Sequence, residues 1–101
     1  MKLLTNELKR KLTKAGYKNM TPICKLFTPW GHATWLLTGI EDGILYGFAD
    51  LGMGCVEWGS IATLEEMEAF RGPLGLKVER DNYWLHVEGT NYTQLDSLLA
   101  A

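Results

Sequence analysis

The residues best suited to nucleophilic or metal chemistry are Cys24, His32, Cys55 and His86, and two carboxylates, Asp50 and Glu57, flank a glycine-containing bend. A cysteine nucleophile needs a base to generate thiolate, which either histidine could supply to either cysteine. No local signature supports any of these pairings, and a cysteine on a strand usually serves as a small buried hydrophobe. The spacing Cys24, His32, Cys55, His86 also lacks the close-paired ligands from which most zinc sites are built. No metal and no cofactor is therefore expected. Asp50 and Glu57, with Cys55 between them, are better placed for a hard cation or an acid/base pair. The competing reading is that an Asp before Leu-Gly hydrogen-bonds its own turn. Gly52-Met53-Gly54 is not a phosphate loop, because it lacks the third glycine, the lysine and the following helix.

Two features favour binding over catalysis. Trp30, Trp35, Tyr46, Phe48, Trp58, Tyr83 and Trp84 fall on or beside strand-like segments. Some of these rings must fill the core; Trp30 and Trp58, if outside it, would make a platform for a protein partner or for stacking with bases. The second feature is charge. Residues 1–25 hold seven cations against Glu7, a net +6, whereas residues 26–101 hold three cations against eleven acids, a net −8. Such polarity means either a charged partner or two halves of one fold that attract each other. The overall −2 and the lack of a nucleic-acid motif favour the second explanation.

These residues must be positioned by a small set of elements. Leu4, Leu8, Leu12 and Ala15 recur at helical spacing, with Thr5 to cap the start and Gly16 to end the helix. Lys9, Arg10, Lys11 and Lys14 occupy the remaining arc, giving an apolar stripe and a cationic back. Ile23–Thr28, Ala33–Ile40, Ile44–Asp50 and Cys55–Ile61 are strand-like, with Pro29-Trp30-Gly31-His32 as a turn and Asp42-Gly43 as a hairpin signal. Thr63-Leu64-Glu65-Glu66 is a capping box that opens a helix to about Phe70, with Leu64, Met67 and Phe70 pointing inward. Leu76–Arg80 and Tyr83–Val87 are further strand candidates, and Tyr92, Leu95, Leu98 and Leu99 have the spacing of a C-terminal helix. The expected fold is α+β: an N-terminal amphipathic helix, an antiparallel sheet of four to six strands and a short helix at 63–70.

At 101 residues and 47% apolar, the chain has room for one core, so residues 1–101 are expected to form a single domain. The apolar run after Met1-Lys2 is only Leu3-Leu4, and no longer stretch would span a bilayer. The expectation is a cytoplasmic protein with reduced thiols and no membrane contact.

The middle of the chain carries recognisable motifs: Lys25-Leu26-Phe27-Thr28-Pro29, Ala33-Thr34-Trp35-Leu36-Leu37-Thr38 and Gly47-Phe48-Ala49-Asp50-Leu51-Gly52. Gly54, Glu57, Gly59, Leu64-Glu65-Glu66, Arg71-Gly72-Pro73-Leu74-Gly75-Leu76 and Glu79-Arg80-Asp81 continue them. Together they resemble the domain-of-unknown-function family 2958, small proteins of bacteria, plasmids and phages. The resemblance spans roughly positions 3 to 85 and departs from the family pattern from Trp84 onward. It implies a single small domain often carried on conjugative and integrative elements, and it implies no activity. Asp50 and Glu57 both match the family pattern.

The expected function is that of a non-enzymatic accessory protein of mobile genetic elements acting by macromolecular binding. A protein partner or homodimer is expected first, and nucleic acid through the basic first helix second. The expected contacts are Trp30, His32, Trp58, Lys9, Arg10 and Lys14. Two alternatives stand beside it: a small enzyme or ligand- or metal-binding domain centred on Asp50, Cys55 and Glu57, and an anti-defence inhibitor whose acidic surface imitates nucleic acid.

Overall fold

The computed structural model describes residues 3–52 and 55–82. The first helix, α1, is Asn6–Ala15. Thr5 caps it by accepting from the Leu8 N–H, and Gly16 closes it at φ +73° with its N–H donating to Leu12 O. Four strands follow, β1 (Cys24–Phe27), β2 (Thr34–Glu41), β3 (Ile44–Asp50) and β4 (Val56–Thr63). Helix α2 (Leu64–Ala69) continues directly from β4, and Thr63 and Glu66 form the reciprocal capping box that the sequence predicts. A 3₁₀ turn at Pro73–Gly75 leads to the two-residue strand β5 (Glu79–Arg80).

The sheet is antiparallel throughout, in the order β4-β3-β2-β1-β5. Strands β2, β3 and β4 form a meander. Its first turn is Asp42-Gly43, both at positive φ (51° and 78°), as a two-residue hairpin turn requires. The register defines two faces, because side chains alternate along a strand while cross-strand partners share a face. Cys24, Leu26, Trp35, Leu37, Gly47, Ala49 and Gly59 lie on one face. Helix α1 covers that face, and Leu4, Leu12, Leu26, Leu37 and Leu45 are fully buried there, joined by Met67 of α2 and by Val78. Lys25, Phe27, Leu36, Thr38, Tyr46, Phe48, Asp50 and Trp58 point the other way.

Three sequence expectations are corrected. Strand Leu76–Arg80 shortens to Glu79–Arg80, because Gly75 at φ +75° and the Arg71–Lys77 bridge turn the preceding residues into a tight loop. Strand β4 runs two residues beyond Ile61, its register shifting opposite Leu45/Tyr46. Phe70 does not enter the core; it is 52% exposed and lays its ring on Trp30. The strand expected at Tyr83–Val87 and the helix expected over Tyr92–Leu99 lie outside the described residues. Among the described residues no helix is long and apolar enough to cross a membrane.

The two thiols differ sharply. Cys24 is buried on the α1 side of β1, and that burial pushes its pKa up to about 12, with the Arg80 charge pulling weakly the other way. Cys55 is exposed. A thiol reagent is expected to titrate one group per folded chain and two in denaturant. The sign of the pH effect follows from the raised value. Cys24 contributes stability that is fully present below its unfolded pKa of 9.0 and is lost as pH rises toward 12. Unfolding followed between pH 8 and 11, with Cys24→Val as the comparison, measures that loss.

Candidate functional site

Helix α1 is held by one stripe and presents the other. Leu12 is fully buried and Leu8 is packed against the core, while Arg10, Lys11 and Lys14 are exposed and Lys9 is half-buried at the flank. Glu7 pairs with Lys11 at 3.4 Å, one turn away, on a surface where such a pair stabilises the helix by only about 0.3–0.5 kcal/mol. Among the described residues no carboxylate lies within 4.0 Å of Lys9, Arg10 or Lys14. The other resolved ion pair joins Lys25 to Asp81 at 3.9 Å, on the opposite face of the sheet. The preference for attraction between the basic helix and the acidic body therefore finds no contact pair at these three cations.

The tryptophans do not make one platform. Trp30 sits in the β1–β2 turn, half-buried against the core and stacked on Phe70 at 5.8 Å. Gly72 backs it so closely that a Cβ there would fall 2.2 Å from the indole. Trp58 is half-buried on the sheet face turned away from α1, where its indole N–H donates to Thr38 Oγ1 at 3.1 Å. Thr38 in turn donates to Tyr46 O, and Tyr46 stacks on Trp58 at 5.9 Å. Both rings have internal partners, and they belong to separate clusters. His32 is exposed beside Gly52 in the same turn region as Trp30, some way along the fold from Trp58.

The carboxylates do not converge. Asp50 pairs across the sheet with Val56, and Ala49 pairs with Glu57, so Asp50 and Glu57 project to opposite faces. Asp50 accepts from the Gly52 N–H at 2.9 Å, the local turn bond that was its alternative reading. Cys55 and Glu57 are exposed, and among the described residues no group of three His, Cys, Asp or Glu is placed to hold a metal ion. The register therefore does not bring Asp50 and Glu57 together on one face. The acids as a whole are also divided. Glu41 and Asp50 lie on one face, Glu57 on the other, Glu65, Glu66 and Glu68 on α2, and Glu79 on the edge strand.

Two concavities on the described surface bear on function. An open groove of about 660 Å³ is lined by Leu3, Pro29, Glu68, Arg71, Leu76 and Val78 among others, and a cleft of about 280 Å³ lies beside Lys25 and Asp81. In the first, Arg80 is committed to Leu3 O (2.8 Å) and Arg71 to Glu68 O and Phe70 O. Neither concavity brings an acid, a base and a nucleophile together.

Sequence reasoning missed Tyr46 and Thr38 as partners of Trp58, and Tyr17 as the partner of Tyr46. The Asp42-Gly43 hairpin sets Tyr46 opposite Gly39 and, through β4, within stacking range of Trp58. The irregularities between Leu37 and Gly39 and at Leu45/Tyr46, which fix that range, leave no mark in the pattern of residue types.

No curated protein and no solved structure matches the chain. One family model matches residues 1–94, spanning the helix, the whole described sheet and the turn motifs above. The chain belongs to that family, described as protein of unknown function (DUF2958).

Proposed function

We propose that this chain is a non-enzymatic accessory protein of mobile genetic elements that acts in the cytoplasm by binding nucleic acid, with the outward face of α1 contacting phosphates. One observation carries the reading. Lys9, Arg10 and Lys14 stand on a helix whose opposite stripe is fixed in the core, and no described carboxylate pairs with them although acids outnumber bases in the chain. Cations held on a rigid element and left unpaired are a ready phosphate-contacting surface. The protein-partner and homodimer readings lose support because Trp30 and Trp58 are held separately by internal contacts. The enzyme reading loses support from the divergence of Asp50 and Glu57, and the mimic reading from the division of the acids among both faces and α2.

Binding to a short DNA duplex is expected to fall steeply with salt. If three cations each release a counterion, the log–log slope is roughly −3, or about 50-fold between 50 and 200 mM salt. Fluorescence anisotropy with a labelled duplex measures this. No binding at 20 mM salt would sink the proposal.

A further inference from the structure

The loop that follows α1 carries the same basic surface toward the other face of the sheet. Gly16 O lies so close to Gly39 that a Cβ there would be 1.9 Å away, which fixes the loop against the backbone of β2. Asn19 pins it further, its side-chain amide donating to Thr38 O at 2.7 Å and to Thr21 O at 2.9 Å. Held in this way, Tyr17 meets Tyr46 at 5.8 Å with the rings tilted by 48°, and Tyr46 meets Trp58 at 5.9 Å and 28°. The result is a three-ring ladder across the loop, β3 and β4. Its outer rung, Tyr17, is 41% exposed.

Three properties distinguish this ladder from rings that only fill space. The Trp58 N–H is satisfied by Thr38, so the indole is fixed in orientation and needs no further donor contact. The ladder lies apart from the core cluster under α1, since Tyr46 and Trp58 project from the opposite face. A cation caps its outer rung: Lys18 Nζ is 5.8 Å from the Tyr17 centroid, and Lys14 is four residues back on α1. An exposed aromatic ring with flanking cations is the element that holds an unpaired base and its phosphates, and Tyr17 is that ring here. Glu41, on the same face as Tyr46, and Asp42 in the adjoining turn offer acceptors to base amino groups but none to phosphate.

We propose that Tyr17, backed by Tyr46 and Trp58, is a stacking platform for an unpaired base of single-stranded nucleic acid, with Lys18 and Lys14 taking the adjoining phosphates. This rests on the reading of α1 as a phosphate-contacting surface and narrows it to a strand whose bases are unpaired. A base stacking on Tyr17 displaces the Lys18 ammonium from the ring and leaves it free for the phosphate beside it.

The test uses the full chain with a fluorescein-labelled 15-nucleotide thymidine oligomer and a 15-base-pair duplex. The single strand should bind more tightly than the duplex and quench tryptophan fluorescence, and Trp58→Phe should remove most of that quench. Tyr17→Ala should weaken the single strand by at least about 5-fold, the lower end for loss of one stacked base, and leave the duplex within 2-fold. Tyr17→Leu, which keeps an apolar side chain on Tyr46, should fold as the parent does and show the same selective loss. If both Tyr17 variants bind the single strand within 2-fold of the parent while Lys14→Glu weakens both probes, the ladder only holds the loop in place. The platform is then refuted and the α1 reading stands. If neither probe binds at 20 mM salt, both readings fall.

Discussion

Replacing Gly39 with alanine is expected to cost about 3 kcal/mol or more, a large share of the roughly 5–15 kcal/mol that holds a domain this size folded. The added Cβ would sit 1.9 Å from Gly16 O and 2.7 Å from Gly16 C. Those atoms are backbone, so no rotamer change relieves the clash. The Gly16 peptide cannot step aside freely either. Its N–H closes α1 on Leu12 O, its φ is +73°, and Asn19 ties the loop to Thr38 O three residues on. The substitution therefore sets the end of α1 against the β2 backbone it rests on. Gly59 is the control, since a Cβ there meets nothing within 4 Å and its φ is not positive. Gly59→Ala should be neutral or stabilising by up to about 1 kcal/mol, because alanine has fewer unfolded conformations to lose. Urea denaturation followed by circular dichroism compares the two. An equal response at both positions would mean that the close approach of loop and strand is not a constraint.

Reversing the outward charges of α1 should have the largest effect on binding. At 50 mM salt each phosphate-paired cation contributes roughly 15-fold to duplex affinity through counterion release, so Arg10→Gln with Lys14→Gln should weaken binding roughly 200-fold. Arg10→Glu with Lys14→Glu should weaken it further, and the salt slope should fall from roughly −3 toward −1 in both pairs. Stability should move much less, because both residues are exposed and neither pairs with a described carboxylate. Lys14 lies in the last turn, where a cation favours the helix dipole, so Lys14→Glu carries a further cost of about 0.3–1 kcal/mol. The glutamine pair separates that cost from the loss of binding. Unchanged affinity in the glutamine pair would remove α1 from the interface.

What the sequence made legible were features set by neighbouring residues. The stripe Leu8 and Leu12, the Thr5 cap, the Asp42-Gly43 turn and the Thr63–Glu66 box each depend on a few consecutive positions and formed as expected, while Leu4 is buried but lies ahead of the cap, outside the helix. Which side of the sheet each residue occupies was harder to read. Asp50 and Glu57 looked like partners because seven positions separate them across a bend. A pairing that sets Asp50 against Val56 instead turns them apart. Trp30 and Trp58 looked equivalent because both are large aromatics near strands. One is clamped between Gly72 and Phe70, and the other is bonded to Thr38 across two strands. These outcomes depend on register and on two local irregularities in it, which residue type alone does not specify.

The placement of β5 beside β1 has a consequence for the order in which the chain assembles. Strands β2, β3 and β4 are joined by short connections, and α1 is local by nature, so these contacts close small loops. The Leu26–Arg80 pairing and the Arg80 bond to Leu3 O, 77 positions apart, must close nearly the whole described chain. By the logarithmic growth of closure entropy, that step costs roughly 2–3 kcal/mol more than joining β3 to β4 through five residues. The meander thus precedes the meeting of the ends. Pulse-labelled amide exchange would show protection in β2 and β3 before β1 and β5. Until that last step, the outer edge of β1 is without the strand that pairs with it in the finished sheet.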